Sequence, residues 1–256
     1  MPSRSIPKAG SPLSVACAIA LVGLFAALAL ASSLPAAEIA TDGANAVTGR
    51  IEGAVVISTQ LSSRRPRFRI YADPGPGARP PAPAPESGEI RNVVLYLQNA
   101  TAPDTAPSRA AMEQMDERFV PHVLPVLRGT TVDFPNADDV FHNVFSLSSA
   151  KTFDLGRFPR GSAKSERFDR SGVVQVFCHI HSDMSAVVLV LDNPYFTVPT
   201  ASGRYSIDGV PPGDYAVVGW HERIRPVLRT VHVTAGQTAR VDFNIPLPAD
   251  GESASR

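Results

Sequence analysis

Apolar and polar positions along this chain alternate in short runs, separated by turn residues at intervals of about ten. Val47–Ile57 has the β-branched content of a strand with a glycine bend, and Asn92–Leu97 reads as a buried strand. Strands are predicted over Val123–Leu127 and Thr131–Phe134, joined by the hairpin-type connection Arg128-Gly129-Thr130. Pro135 to Asp139 is a turn cluster ahead of a further strand over Val140–Ser146. Short strands over Phe153–Gly156 and Ala163–Phe168 flank a Pro-Arg-Gly turn. Val173–Cys178 alternates so that Val174, Val176 and Cys178 share one face. Ala186–Leu191 is a nearly continuous apolar run, the mark of a central or closing strand. Beyond Asp192-Asn193-Pro194 the pattern restarts with Arg204–Ile207, Tyr215–Trp220, Thr230–Thr234 and Ala239–Ile245. No heptad, no glycine-rich loop leading into a helix and no helix-period segment beyond about two turns interrupts it. The pattern predicts an all-β protein built from sandwiches.

Composition agrees, since 24 prolines and 18 glycines suit a turn-rich β protein. Arg64–Tyr71 is strand-like but broken by proline, which suits a charged edge or a loop. Asp73–Ser87 is rich in Pro, Gly and Ala and reads as an exposed, semi-extended loop. At the N-terminus, Leu13–Ala31 is an uncharged apolar run of nineteen residues behind Arg4 and Lys8. Ala29-Leu30-Ala31 and Pro35-Ala36-Ala37 are candidate cleavage sites, so residues 1–37 read as a secretory signal peptide. The alternative is an uncleaved membrane anchor, because nineteen apolar residues can just span a bilayer.

Arg4 and Lys8 are the only charged residues of that segment, so the remainder carries 22 basic and 24 acidic side chains, a formal net charge of −2. This balance predicts no nucleic-acid partner and no polybasic membrane attachment. Cys178 is the one cysteine outside the apolar segment, which excludes an internal disulfide in the exported chain. Its thiol must be reactive, paired between molecules or metal-bound.

The surroundings of Cys178 favour the metal. Cys178-x2-His181-x2-Met184 puts a thiolate, an imidazole and a thioether at a strand end and on the loop leaving it, a soft donor set suited to copper. Two imidazoles and a thiolate in a trigonal array, with a weak axial thioether, define a blue-copper electron-transfer site. The missing imidazole must come from another strand, and His142, flanked by Phe141, Val144 and Phe145, is the best candidate. His179, on a strand continuing past Cys178, points away from the metal. His122 and the pair His221-Glu222 read as structural or surface groups, His232 as solvent-facing, and Met112-x2-Met115 as packing. No Ser-His-Asp arrangement with a nucleophile elbow and no His-Glu-x-x-His helix is present, and Asp138 and Asp139 form no evident acid–base pair. The expectation is a protein that is not an enzyme.

Gly129-x-x-Val132-x-Phe134-x-Asn136-x-Asp138, His142-Asn143, Gly172 and Phe177-Cys178-x2-His181-x2-Met184 together resemble a cupredoxin, with the ligand-loop spacing of the amicyanin type. The resemblance covers roughly residues 110–192. It implies a Greek-key β-sandwich holding one type 1 copper ion that cycles between Cu(I) and Cu(II). His142, Cys178 and His181 would be the strong ligands, Met184 the axial one, and Asn143 a hydrogen-bonding brace for the ligand loops. Ile180 departs from the proline that many small cupredoxins carry before the second histidine.

Gly203-Arg204-Tyr205-x-Ile207, Val210-Pro211-Pro212-Gly213-x-Tyr215 and Trp220-His221 resemble a transthyretin-like or carboxypeptidase-regulatory-like sandwich, over residues 195–248. Residues 38–109 are expected to form an N-terminal extension packed on the copper-binding core. The pairing of these two modules is similar to bacterial methylamine utilisation-type proteins, which implies a periplasmic setting or, with the anchor retained, a membrane-bound one facing the periplasm. The function this implies is single-electron transfer between a protein donor and a protein acceptor. Two other readings are a copper chaperone or store without a redox role, and an interaction module with a vestigial site.

Overall fold

The computed structural model describes residues 47–58, 88–101, 106 and 108–245. The apolar N-terminal segment with its cleavage sites, the arginine-rich stretch 64–71 and the loop 73–87 lie outside them. In chain order the strands are β1 (Gly49–Ile57), β2 (Val94–Gln98), β3 (Arg109–Ala111), β4 (Glu113–Gln114), β5 (Phe119–Val120) and β6 (Val123–Leu127). Next come β7 (Thr130–Pro135), β8 (His142–Ser148), β9 (Lys151–Phe158), β10 (Ala163–Phe168), β11 (Gly172–Phe177) and β12 (Ser185–Leu191). The last are β13 (Phe196–Thr197), β14 (Arg204–Val210), β15 (Gly213–Trp220), β16 (Val227–Val233), β17 (Thr238–Arg240) and β18 (Phe243–Ile245). The helical structure among the described residues is a single 3-10 turn, Glu89–Asn92, and none of it is long and apolar enough to cross a membrane.

Strands β3 to β12 build a first sandwich. Its larger sheet runs β6-β12-β11-β8-β9 and faces a smaller one ordered β10-β7-β3. Between them lie Met112, Val132, Phe134, Val144, Phe168, Val174, Val176 and Val188, with Cys178 and Met184 in the same cluster. The continuous apolar run of β12 has a direct cause. Ala186, Val188 and Val190 face this core, while Val187, Leu189 and Leu191 face a second apolar cluster with Val94, Val218 and Trp220. A strand buried on both faces has no polar side to alternate with.

The second sandwich pairs a sheet ordered β14-β1-β17, with β18 also on β1, against one ordered β13-β2-β15-β16. Its core contains Ile51, Val55, Leu95, Leu97, Ile207, Val217 and Phe243. This corrects the expected organisation of residues 38–109. The extension does not belong to the first sandwich: β1 sits between β14 and the β17/β18 pair, and β2 sits between β13 and β15. The C-terminal strands alone leave both of their sheets without a central member. Val94 of β2 does touch the first sandwich, through the shared cluster. The chain therefore begins the second sandwich, builds the first as an insertion, and returns to finish.

The run Ala239–Ile245, expected as one strand, is two. The carbonyl of Val241 turns over Gly53 and accepts a hydrogen bond of 2.6 Å from the Tyr205 hydroxyl, while Asp242 Oδ1 accepts the Ala54 N–H at 2.8 Å. The crossover depends on Gly53 lacking a side chain, because a Cβ there would lie 1.8 Å from the Val241 carbonyl oxygen. Backbone is what blocks the space, so relief requires parting β1 from this crossover. Gly53→Ala is expected to destabilise the protein by about 3 kcal/mol or more, read as a lowered denaturation midpoint. An unchanged midpoint would show that the crossover is not fixed by this contact.

Candidate metal centre

Strands β11 and β12 pair down to a last rung, Phe177 opposite Ser185, and the seven residues between them hang off the sheet end as a loop. The loop is tied internally: the Cys178 N–H donates to the Met184 carbonyl at 3.2 Å, and the Met184 N–H to the His181 carbonyl at 3.0 Å. Strand β8 lies next to β11 in register Phe145 to Phe177, which brings His142, the first residue of β8, beside the same loop. Three side chains converge there. Cys178 Sγ is 4.0 Å from His142 Nδ1 and 4.0 Å from His181 Nδ1, and the two nitrogens are 3.0 Å apart.

These separations match one metal ion. A point about 2.05 Å from each nitrogen and about 2.3 Å from the sulfur, ordinary metal–ligand lengths, falls in the plane of the three donors given their 3.0 and 4.0 Å spacings. Tautomer chemistry agrees. Asp138 Oδ2 accepts a 2.7 Å hydrogen bond from His142 Nε2–H, which leaves the Nδ1 lone pair bare and turned toward Cys178 and His181. Two ring nitrogens facing each other at 3.0 Å share either a proton or a metal ion. His142, Cys178 and His181 are the group of metal-binding type found among the described residues. His142 is fully buried, Cys178 is a buried free thiol, and His181 is part-exposed. Burial, then the neighbouring His142, pushes the His181 pKa down against the opposing pull of Glu117 and Asp138, favouring the neutral ring that a metal requires.

The other expected residues fall as follows. Met184 is 1% exposed at the loop's end, in the same core as Cys178. Asn143 bridges three segments: its Nδ2 donates to Asp154 Oδ1 at 2.7 Å, and its Oδ1 accepts the His179 N–H at 2.9 Å. His179 is exposed with its ring on Phe145, centroids 3.7 Å apart, outside the donor group. Met112 is buried whereas Met115 is exposed, so they form no common pocket. His232 is exposed against Asp214, and His221 is fully buried against Glu89.

Asp138 stands in the sequence motif without an assigned role, and the structure sets it against the His142 ring. Its carboxylate also accepts the backbone N–H groups of Asp116 at 2.7 Å and Glu117 at 2.9 Å. Burial works against its ionisation, but the Glu117 N–H, the His142 ring and the Asp116 N–H outweigh it and hold the carboxyl below its ordinary range. Asn136 secures the turn, accepting the Asp138 N–H and donating to the carbonyls of Val140 and Phe158. The available signal was the Asn136-x-Asp138 turn four residues ahead of His142.

No protein-family model matches this chain, and no curated protein does. Solved structures resemble part of it. A copper-containing nitrite reductase from Thermus scotoductus SA-01 is 24% identical over 37% of this chain, with a TM-score of 0.32; the match spans 24% of the reductase's own length. A purple cupredoxin from Nitrosopumilus maritimus is 28% identical over 28% of this chain and 81% of its own, with a TM-score of 0.27. A reduced amicyanin variant is 19% identical over 38% of this chain and 98% of its own, with a TM-score of 0.31.

Carboxylates that orient a ligand histidine typically contribute 10–100-fold in metal affinity. Asp138→Asn is expected to weaken metal binding by about that factor, measured by competition with a chromophoric chelator. Wild-type affinity in the variant would remove Asp138 from the site.

Proposed function

We propose that this protein is an exported type 1 copper protein that passes single electrons between protein partners. The observation that carries the reading is the coplanar spacing of His142 Nδ1, His181 Nδ1 and Cys178 Sγ around one ion-sized point. A thiolate with two imidazoles is the donor set of a blue-copper centre. His142, Cys178 and His181 would be its strong ligands, with Met184 as the axial ligand. Copper bound there supplies a one-electron Cu(I)/Cu(II) couple. The first sandwich is then a Greek-key cupredoxin domain, the second a transthyretin-like one, and the periplasm the compartment.

The chain's own residues suit this role by not moving. Asp138 fixes the His142 ring, Asn143 ties β8 to the Cys178 loop, and the loop closes on itself through Cys178, His181 and Met184. A donor set held this way changes little between oxidation states, which keeps electron exchange fast. Four protein ligands leave no open position for a substrate, which favours a carrier over an oxidase. His181 reaches the surface within a mainly apolar collar of Val140, Phe141 and Ile180, which are 42%, 56% and 39% exposed, with Arg157 on the same rim. An apolar rim of this kind suits brief docking of a redox partner around the ring edge. The same pre-set donors count against a chaperone or store, which works by opening and exchanging its metal.

Reconstitution with Cu(II) is expected to give an intense thiolate-to-copper charge-transfer band in the visible spectrum, absent in Cys178→Ser. Colourless protein that takes up only Cu(I) would favour storage or delivery, and no copper uptake would end both readings. Met184→Leu is expected to keep the band and raise the reduction potential, since an apolar side chain in place of an axial donor disfavours the higher charge of Cu(II).

A further inference from the structure

His122 lies just ahead of β6, at the edge where the two sandwiches meet. Strand β6 runs parallel to β12, and the Val187 N–H donates to the His122 carbonyl at 2.8 Å, which sets His122 beside the first residues of β12. Its ring Nδ1 is 3.0 Å from the Ser185 carbonyl oxygen, and its Nε2 is 2.7 Å from Glu222 Oε1. The ring thus bridges a backbone carbonyl on one side and a carboxyl on the other. The nearby His221 differs. Its Nδ1 accepts the Arg223 N–H at 3.2 Å and its Nε2–H donates to Glu89 Oε1 at 3.1 Å, so that ring is satisfied within the second sandwich.

The two ends of the His122 bridge are what matter. Glu222 follows β15, a strand of the second sandwich that contributes Val218 and Trp220 to the shared apolar cluster. Ser185 directly follows Met184 and is the partner of Phe177 in the last rung before Cys178. Fixing the Ser185 carbonyl fixes the direction in which the chain leaves Met184. On the other side the loop is held by Asn143, through the His179 N–H.

We propose that His122 is a positioning residue through which the second sandwich, by way of Glu222, sets the placement of Met184 at the metal centre. The proposal rests on the copper reading for its consequence, though the placement itself is a property of the metal-free protein. The second sandwich thereby holds the axial side of the site from outside the copper-binding sandwich.

The test starts without metal. Protein labelled with [methyl-13C]methionine is compared as wild type, His122→Ala, Glu222→Ala, the double variant and Glu222→Gln, which keeps an oxygen acceptor. The Met184 methyl resonance is expected to move in both single variants, to move little further in the double, and to return toward wild type in Glu222→Gln. The Met112 methyl, in the same core but bonded through its N–H to Asp133 on the opposite sheet, is expected to stay in place. With copper bound, the oxidised-to-reduced ratio at a fixed solution potential should shift by about threefold or more in the same variants. A lowered melting temperature with an unmoved Met184 methyl and an unchanged ratio would overturn the proposal and leave His122 a plain strut. Should His122→Ala fail to fold, Glu222→Ala decides alone. Should the protein take up no copper, the copper reading falls, while the methyl resonance still decides the relay.

Discussion

The pairing of β11 with β12 is the constraint on which both the site and the architecture depend. Its last rung fixes the two ends of the Cys178–Met184 loop, so a segment of seven residues must turn back on itself, which brings Cys178 and His181 together. The outer face of the same β12 meets Val94, Val218 and Trp220 of the second sandwich. One strand thus carries the Cys178–Met184 loop at its start and the boundary between the sandwiches along its length. Its burial on both faces makes register slippage costly, since a slip by one residue would exchange the two buried sets, small Ala186 among them, between unlike surroundings.

What could be read from the sequence divides along the distance over which each feature is encoded. Cys178 and His181 were legible because their spacing within one loop brings sulfur and ring together. His142 followed from the need for a second imidazole, and its neighbour Asn143 entered with the family resemblance. The place of β1 and β2 was not legible, because alternation specifies a strand but never its partner. Val47–Ile57 has the pattern of a strand wherever it docks, and only the register with β14, β17 and β18 assigns it. The break at Val241 was hidden for the same reason, since it answers a glycine far away in β1.

Asp138 shows the harder case. In sequence it is one of two adjacent acids in a turn, set apart from Asp139 only by its place in the Asn136-x-Asp138 motif. In space the two diverge: Asp139 pairs with Arg160 at the surface, while Asp138 turns inward to His142. The difference lies in the turn at Asp116 and Glu117, which have φ values of 54° each, a left-handed conformation that side chains other than glycine adopt reluctantly. Two such residues cost roughly 2–4 kcal/mol. Hydrogen bonds to a charged group contribute about 1.5–3 kcal/mol each, and the turn directs both of its N–H groups at the Asp138 carboxylate.

The balance favours the turn only while that carboxylate is present and charged. The dependence runs the other way as well. Without those two donors, the carboxylate would face its own burial with the His142 ring as chief partner, and its charge would be less secure. The turn and the acid therefore hold each other, and His142 receives the result as a fixed ring with one bare nitrogen. That makes the hairpin of β4 and β5 part of what holds the candidate metal centre, although it supplies none of the three grouped donors. It also explains why two unfavourable backbone conformations lie next to each other here: the position that strains Asp116 and Glu117 is the one that aims both donors at a single carboxylate.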